Sequence, residues 1–203
     1  MIKTLIFDFG DVFINLDKKG AMKHALDIFK LDVFSEEMIA FNAFYEQGLI
    51  STEEFLDFYL ENFPYLDVDE ILYAWNYIIK DFPEYRLEFI KKLASEKKYQ
   101  LILLSNTNSL HINLIKERVT FYDEFKCCFH KFYLSHEIQL RKPEASIYNF
   151  VLKENNLKPE DCLFIDDTIE NTEAAKKLGI NVWNIDETTQ DIVDLFTIKE
   201  ELF

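Results

Sequence analysis

Residues 2–12, which read IKTLIFDFGDV, decide the fold of this chain. The run from Ile2 to Phe9 is rich in β-branched and aromatic residues and predicts a buried strand, with Asp8 at its end. Two further apolar runs, at 101–104 (LILL) and 162–165 (CLFI), predict two more buried strands. Each of the three is followed by polar residues, so the sequence predicts several short strands whose ends carry reactive groups.

The segments between these strands have the periodicity of helices. Helices are predicted at 84–97, 109–118, 143–155 and 170–178, and weaker strands at 131–134 and 181–185. Strands that alternate with helices of this length are typical of a parallel sheet. The predicted fold class is therefore α/β, a Rossmann-like parallel sheet with helices on both faces.

The stretch at 18–82 interrupts the alternation, because it contains helical patterns and no convincing strand. Ser51 and Glu54 have the spacing of a capping box, and Asp67 with Glu70 repeats it. We predict an all-helical insertion after the first strand. Its aromatic residues are expected to form its interior: Phe41, Phe44, Tyr45, Phe55, Phe58, Tyr59 and Trp75.

The composition narrows the function. The chain has 203 residues, and 22 Lys+Arg against 37 Asp+Glu leave a formal charge of −15. This charge repels nucleic acid and anionic lipid, so we expect neither as a partner, and an anionic substrate would need local positive charge. Three cysteines and no long apolar run are consistent with a cytoplasmic protein.

Polar side chains follow three of the predicted strands: Asp8, then Ser105-Asn106-Thr107, then Asp166-Asp167. The carboxyl ends of parallel strands meet at one edge of a sheet, so these groups are expected to converge. Carboxylates packed together repel one another unless a cation lies among them. Oxygen ligands with room for phosphate favour Mg²⁺, and the four histidines lack the spacing of a zinc site.

Lys142 is a candidate partner for an anion. It precedes Pro143, and a residue before proline favours an extended conformation, so we expect Lys142 in a loop with Pro143 beginning the next helix. A lysine next to the hydroxyl of Ser105 and the amide of Asn106 would form a cradle for phosphate.

Four segments together resemble the motifs of haloacid dehalogenase-like (HAD) hydrolases. They are 8–12 (DFGDV), 104–107 (LSNT), 142–143 (KP) and 165–167 (IDD), and they occur in the order found in that family. The segments 46–51, 104–111, 133–135 and 141–148 are further similar to the bacterial α-D-glucose-1-phosphate phosphatase branch. The resemblance implies a core at 1–17 and 83–203 and a helical cap at 18–82.

The resemblance also implies a reaction, hydrolysis of a phosphomonoester through an aspartyl-phosphate on Asp8. Mg²⁺ would be bound by Asp8, the Gly10 carbonyl and Asp167, with Asp166 a direct or water-mediated ligand. Ser105, Asn106 and Lys142 would bind the phosphate, and Asn171 would be either a supporting polar residue or a simple helix-start residue. The implied substrate is a small phosphorylated metabolite such as a sugar phosphate, with α-D-glucose 1-phosphate as the example.

One position departs from the common pattern. Most phosphatases of the family have an acidic residue two positions after the nucleophile, and here that residue is Gly10. Gly10 cannot transfer a proton, which favours slower or narrower activity. Two alternatives stay open: a 2-haloacid dehalogenase, and a non-catalytic binding protein on the same fold. The sequence does not indicate the oligomeric state.

Overall fold

Five parallel strands form a single sheet in the computed structural model, which describes residues 1–203. The strands are β1 (Thr4–Phe7), β2 (Gln100–Ser105), β3 (Lys131–Leu134), β4 (Cys162–Asp166) and β5 (Asn181–Asn184). Their order in the sheet is β3-β2-β1-β4-β5. The predicted fold class is confirmed, and both weaker strands are present.

The central strand β1 is buried on both faces, as its apolar sequence requires. Leu5 and Phe7 pack into one apolar cluster, whereas Ile6 packs into a second cluster on the opposite face. The strand is shorter than the predicted 2–9, although the N–H of Asp8 still donates to the Ile165 carbonyl at 2.9 Å. That bond holds the start of the following turn against β4.

Helices cover both faces of the sheet. One face packs on α5 (Glu84–Glu96), α6 (Ser109–Arg118) and α7 (Tyr122–Cys127), and the other on α9 (Ala145–Glu154) and α10 (Ile169–Lys177). Short helices α8 (Ser135–Ile138) and α11 (Leu195–Ile198) complete the set. None of the helices has the length and apolar character needed to cross a membrane.

Four helices lie between β1 and α5: α1 (Lys18–Phe29), α2 (Glu36–Glu46), α3 (Thr52–Asn62) and α4 (Val68–Asn76). We call these four helices the helical cap. Both predicted capping boxes are present, at Ser51 and at Asp67. The cap has its own apolar cluster around Phe29, Phe55 and Tyr59.

Two local predictions were wrong. Phe44, predicted in the interior of the insertion, is 46% exposed, because it lies off the face of α2 that carries the buried Met38 and Tyr45. Pro143 does not begin a helix, because Glu144 is still extended and α9 starts at Ala145. Lys142 lies in the loop, as predicted, but is only 1% exposed.

The end of α2 contacts the core at residues 134–136. The hydroxyl of Ser135 lies 2.6 Å from the Glu46 carbonyl and 2.9 Å from the Thr107 carbonyl, and accepts the N–H of Thr107 at 2.9 Å. Gly48 follows with φ of +66°, and a Cβ there would overlap the carbonyl oxygen of His136. Only glycine permits this close approach of the two backbones.

We expect Gly48→Ala to lower stability more than Gly179→Ala. Both glycines have positive φ, which costs alanine about 1–2 kcal/mol. An added Cβ at Gly179 meets only Pro159 Cβ at 3.6 Å, an ordinary contact, whereas at Gly48 it meets backbone. Urea denaturation of the two variants measures the difference, and equal losses would contradict the steric role of Gly48.

Candidate active site

The candidate site lies where the carboxyl ends of β1, β2 and β4 meet. Strands β2 and β3 lie on one side of β1, whereas β4 and β5 lie on its other side. The strand order therefore reverses at β1, and a crevice forms there. A cavity of about 470 Å³ opens at this point. It is lined by six of the predicted residues: Asp8, Gly10, Ser105, Asn106, Lys142 and Asp167.

A buried lysine links two of the predicted carboxylates. The Nζ of Lys142 lies 2.8 Å from Asp8 Oδ1 and 2.6 Å from Asp166 Oδ2. Asp166 is fully buried and Asp8 is 8% exposed. Asp8 Oδ2 makes no hydrogen bond within the protein, so one oxygen of this carboxylate is fixed and the other is available.

The carboxylate of Asp166 is fully engaged within the protein. Its Oδ1 accepts the Thr168 N–H at 2.8 Å, and the Asn171 amide donates to both oxygens at 3.0 and 3.1 Å. Together with Lys142, these bonds hold the carboxylate rigidly. In this structure Asp166 orients Lys142, and Asn171 supports Asp166.

Asn106 holds the Lys142 loop. Its Nδ2 donates to the Lys142 carbonyl and its Oδ1 accepts the Lys142 N–H, both at 2.9 Å. The side chain expected to contact phosphate is therefore already paired, whereas its backbone N–H donates to no protein acceptor. Ser105 is buried, and its hydroxyl makes only a long contact, 3.4 Å, with the Asn106 carbonyl.

Asp167 lies beside the pair formed by Asp8 and Lys142. Carboxylate oxygens of Asp8, Asp166 and Asp167 lie within 4.8 Å of one another. Asp167 is contacted by the ammonium of Lys18, which also lies 2.9 Å from Asp11 Oδ2.

The local charge is negative in spite of the two lysines. Burial raises the pKa of Asp8, Lys142 offsets part of this effect and Asp166 adds to it, so the pKa reaches about 7. Burial raises the pKa of Asp167 as well, against the opposing effect of Lys18. Burial alone would lower the pKa of Lys142, but Asp166 and Asp8 outweigh it and raise that pKa. A further cation would relieve this repulsion.

Gly10 lies against the side chain of Leu16. A Cβ on Gly10 would lie 2.6 Å from Leu16 Cδ1, so the end of that flexible side chain would have to shift to admit a longer residue. The N–H and carbonyl of Gly10 make no hydrogen bond within the protein. The carbonyl is therefore available to a ligand.

Sequence reasoning missed several residues that line the cavity. Lys18, His111 and Arg141 all do so, and Arg141 pairs with Glu46 of the cap, which also lines the cavity, at 2.8 Å. Burial lowers the pKa of His111 to about 4, and its Nε2 lies 3.0 Å from the Trp75 carbonyl of the cap. His111 and Arg141 lie in the segments 104–111 and 141–148, whose similarity to a phosphatase branch could have indicated them.

A parallel sheet with an acidic crevice, a buried lysine and an inserted helical cap defines a class of hydrolases. The chain belongs to the haloacid dehalogenase-like hydrolases, whose family model matches residues 2–179. The chain is 29% identical over 197 residues to D-ribitol-5-phosphate phosphatase from Bacteroides thetaiotaomicron, covering 90% of this chain and 91% of that protein. The finer resemblance to the α-D-glucose-1-phosphate phosphatase branch is not confirmed by this relative.

Two solved structures are also similar. A HAD family enzyme of Bacteroides thetaiotaomicron, in complex with magnesium and inorganic phosphate, is 33% identical with a TM-score of 0.82, over 97% of this chain and 100% of that chain. A HAD-like hydrolase of Porphyromonas gingivalis is 26% identical with a TM-score of 0.82, over 98% and 97% of the two chains.

We expect Lys142→Met to destabilise the metal-free protein more at pH 8 than at pH 5. In the folded protein Asp8 keeps its proton up to about pH 7, whereas in the unfolded chain it loses the proton near its ordinary pKa of 3.8. Stability of the wild type therefore falls as pH rises through this window. Without the ammonium the pKa of Asp8 rises further, so the fall continues above pH 7 and adds a loss of about 1.4 kcal/mol per pH unit up to pH 8.

Urea denaturation in EDTA at both pH values measures this difference. Lys3→Met is the matched control, because Lys3 makes an exposed pair with Asp161 that contributes little. Equal losses for Lys142→Met at pH 5 and pH 8 would contradict the assigned coupling.

Proposed function

We propose that the protein is a Mg²⁺-dependent phosphatase that hydrolyses a small phosphomonoester through an aspartyl-phosphate on Asp8. The observation that carries this proposal is the half-engaged carboxylate of Asp8, held at Oδ1 by Lys142 and unpaired at Oδ2, at the edge of a cavity. A fixed carboxylate with one available oxygen is suited to nucleophilic attack.

The reaction follows from the positions of these groups. Asp8 Oδ2 attacks phosphorus, the ester P–O bond breaks, and the alcohol oxygen leaves and takes up a proton from solvent water. Water then cleaves the acyl-phosphate, releases inorganic phosphate and restores the carboxylate. Lys142 stays paired with Asp8 Oδ1 and offsets the negative charge that the phosphoryl group adds.

The acidic cluster fits a divalent cation. Four carboxylates and two ammonium groups leave a formal charge of −2 among six contacting residues, Asp8, Asp11, Lys18, Lys142, Asp166 and Asp167. We assign Asp8, Asp167 and the unpaired Gly10 carbonyl as direct ligands of Mg²⁺. Asp166, whose oxygens are engaged, would act through water. When bound, the ion supplies charge neutralisation for the phosphoryl oxygens.

Phosphate would be held by three donors on two segments. The Ser105 hydroxyl, the unpaired N–H of Asn106 and the Lys142 ammonium all lie at the cavity. The Asn106 side chain would contribute by holding Lys142 in place. This revises the role that the sequence resemblance implied for the amide.

The two alternative functions are less well supported. A 2-haloacid dehalogenase needs no metal, so the cluster of Asp8, Asp166 and Asp167 would have no purpose there. A non-catalytic binding protein would not need the buried pairing of Lys142 with Asp8. Similarity to a phosphatase along nearly the whole chain also favours phosphoester hydrolysis.

For the substrate we propose a phosphorylated sugar or polyol. The support is the similarity to a D-ribitol-5-phosphate phosphatase, together with Glu46 and Arg141, which offer an acceptor and donors for hydroxyl groups at the cavity. α-D-Glucose 1-phosphate remains a candidate within this class.

Asp8→Asn should abolish turnover while the fold is retained, because an amide cannot form the acyl-phosphate. We expect a loss of at least about 1,000-fold in kcat against an aryl phosphate and a sugar phosphate. The Tm of the variant shows whether it is folded. Substantial turnover by the folded variant, purified free of other phosphatases, would exclude this mechanism.

Activity should disappear with a chelator and return with Mg²⁺. Asp167→Asn should raise the Mg²⁺ concentration needed for half-maximal activity more than Asp166→Asn does, because Asp167 is the assigned direct ligand. Asp166→Asn should instead lower kcat through Lys142. Halide release from a 2-haloacid in EDTA would establish the dehalogenase alternative.

Without an acid at Gly10, the leaving group departs with little proton assistance. The kcat/KM should therefore be higher for α-D-glucose 1-phosphate than for glucose 6-phosphate, because the anomeric hydroxyl is the more acidic. A tenfold preference requires only about 1.4 kcal/mol. Assays of both esters beside D-ribitol 5-phosphate test this, and a preference for the 6-phosphate would mean that another group supplies the proton.

A further inference from the structure

The first residue of α1 reaches into the acidic part of the active site. Lys18 contacts Asp167 Oδ2 and lies 2.9 Å from Asp11 Oδ2. The side chains of Asp11 and Asp167 are 7% and 6% exposed, whereas that of Lys18 is 46% exposed. The ammonium thus bridges two buried carboxylates from the solvent side.

The two active-site lysines serve different carboxylates. Lys142 is fully buried and contacts Asp8 and Asp166, whereas Lys18 contacts Asp11 and Asp167. Asp11 is held in place because its Oδ1 accepts the N–H of Leu16 at 2.8 Å. Because Lys18 is partly exposed and Lys142 is fully buried, Lys18 is the more easily displaced of the two cations.

We propose that Lys18 is the resident counter-ion of Asp167, that a divalent cation must displace it, and that it thereby sets the metal affinity of the site. The inference rests on the proposed function, because the assignment of Asp167 as a metal ligand belongs to that proposal.

Competition follows from elementary electrostatics. Mg²⁺ binds carboxylate oxygen at about 2.1 Å, so it repels an ammonium on the same carboxylate. Lys142 is held against this repulsion because it is also paired with Asp166 and, being fully buried, has no path to water. Lys18 can withdraw into water because nearly half of its side chain is already solvated. The ion pair lost on displacement weakens apparent metal binding by the same free energy.

Displacement of Lys18 should also be felt in the cap. Lys18 begins α1, directly after the N-cap residue Asp17. Lys18 and Trp75 of α4 border the same second cavity, about 250 Å³, which lies between the cap and the start of α6 next to the active site. A change in the position of Lys18 therefore alters the surroundings of Trp75.

Isothermal titration of Mg²⁺ into the whole protein tests the competition. Lys18→Met should bind Mg²⁺ about tenfold more tightly than the wild type. Lys19→Met is the matched control, because Lys19 is the exposed neighbour on the same helix and makes no ion pair. It removes the same charge and should stay within about twofold of the wild type.

Fluorescence supplies a second readout. The chain has two tryptophans, and Trp183→Phe leaves Trp75 as the only one. In that background Mg²⁺ should change the Trp75 emission, and Lys18→Met without metal should already resemble the metal-loaded spectrum. If Lys18→Met does not fold, Lys18→Arg is informative, because its guanidinium fork should hold the carboxylates and weaken Mg²⁺ binding several-fold.

Equal Mg²⁺ affinities of Lys18→Met and Lys19→Met, or weaker binding by Lys18→Met, would overturn the inference. Unchanged or tighter binding by Lys18→Arg would overturn it as well. These outcomes leave the proposed phosphatase intact, since Mg²⁺ would still bind. Failure of every variant and of the wild type to bind Mg²⁺ would overturn both.

Discussion

The ammonium of Lys142, 2.8 Å from Asp8 and 2.6 Å from Asp166, is the interaction on which the candidate site depends. A buried lysine is tolerated only when it is paired, so both carboxylates have to be at the ends of their strands. The parallel pairing of β1 with β4, Phe7 opposite Ile165, brings them there. Fold and site therefore share one constraint, the register of two strands.

Hydrogen bonds around this lysine restrict its freedom further. The Asn106 amide holds its backbone, and Asn171 holds its carboxylate partner Asp166. The hydroxyl of Tyr148 in turn donates to the Asn171 carbonyl at 2.9 Å. The pairing of Lys142 with Asp8 and Asp166 is thus supported by neutral side chains from three different segments of the core.

The convergence of Asp8, Asp166 and Asp167 could be predicted, because parallel strands necessarily bring their carboxyl ends to one edge. The role of the Asn106 side chain could not, because its pairing depends on the path of a loop 36 residues away. Lys18 was missed for the same reason, since 149 residues separate it from Asp167. Phe44 was wrongly predicted to be buried because all aromatic residues of the segment were assigned to the interior, whatever face of α2 they lie on. Local pattern predicts elements and strand ends, whereas long-range side-chain pairs need coordinates.

The apolar cluster of the helical cap is separate from the two clusters that flank the sheet. Phe55 of the cap cluster lines the second cavity, so its substitution changes a wall of that cavity without altering the apolar clusters that pack on the sheet. The cap side of that cavity can accordingly be remodelled while the buried packing on which Asp8 and Lys142 rest is left in place.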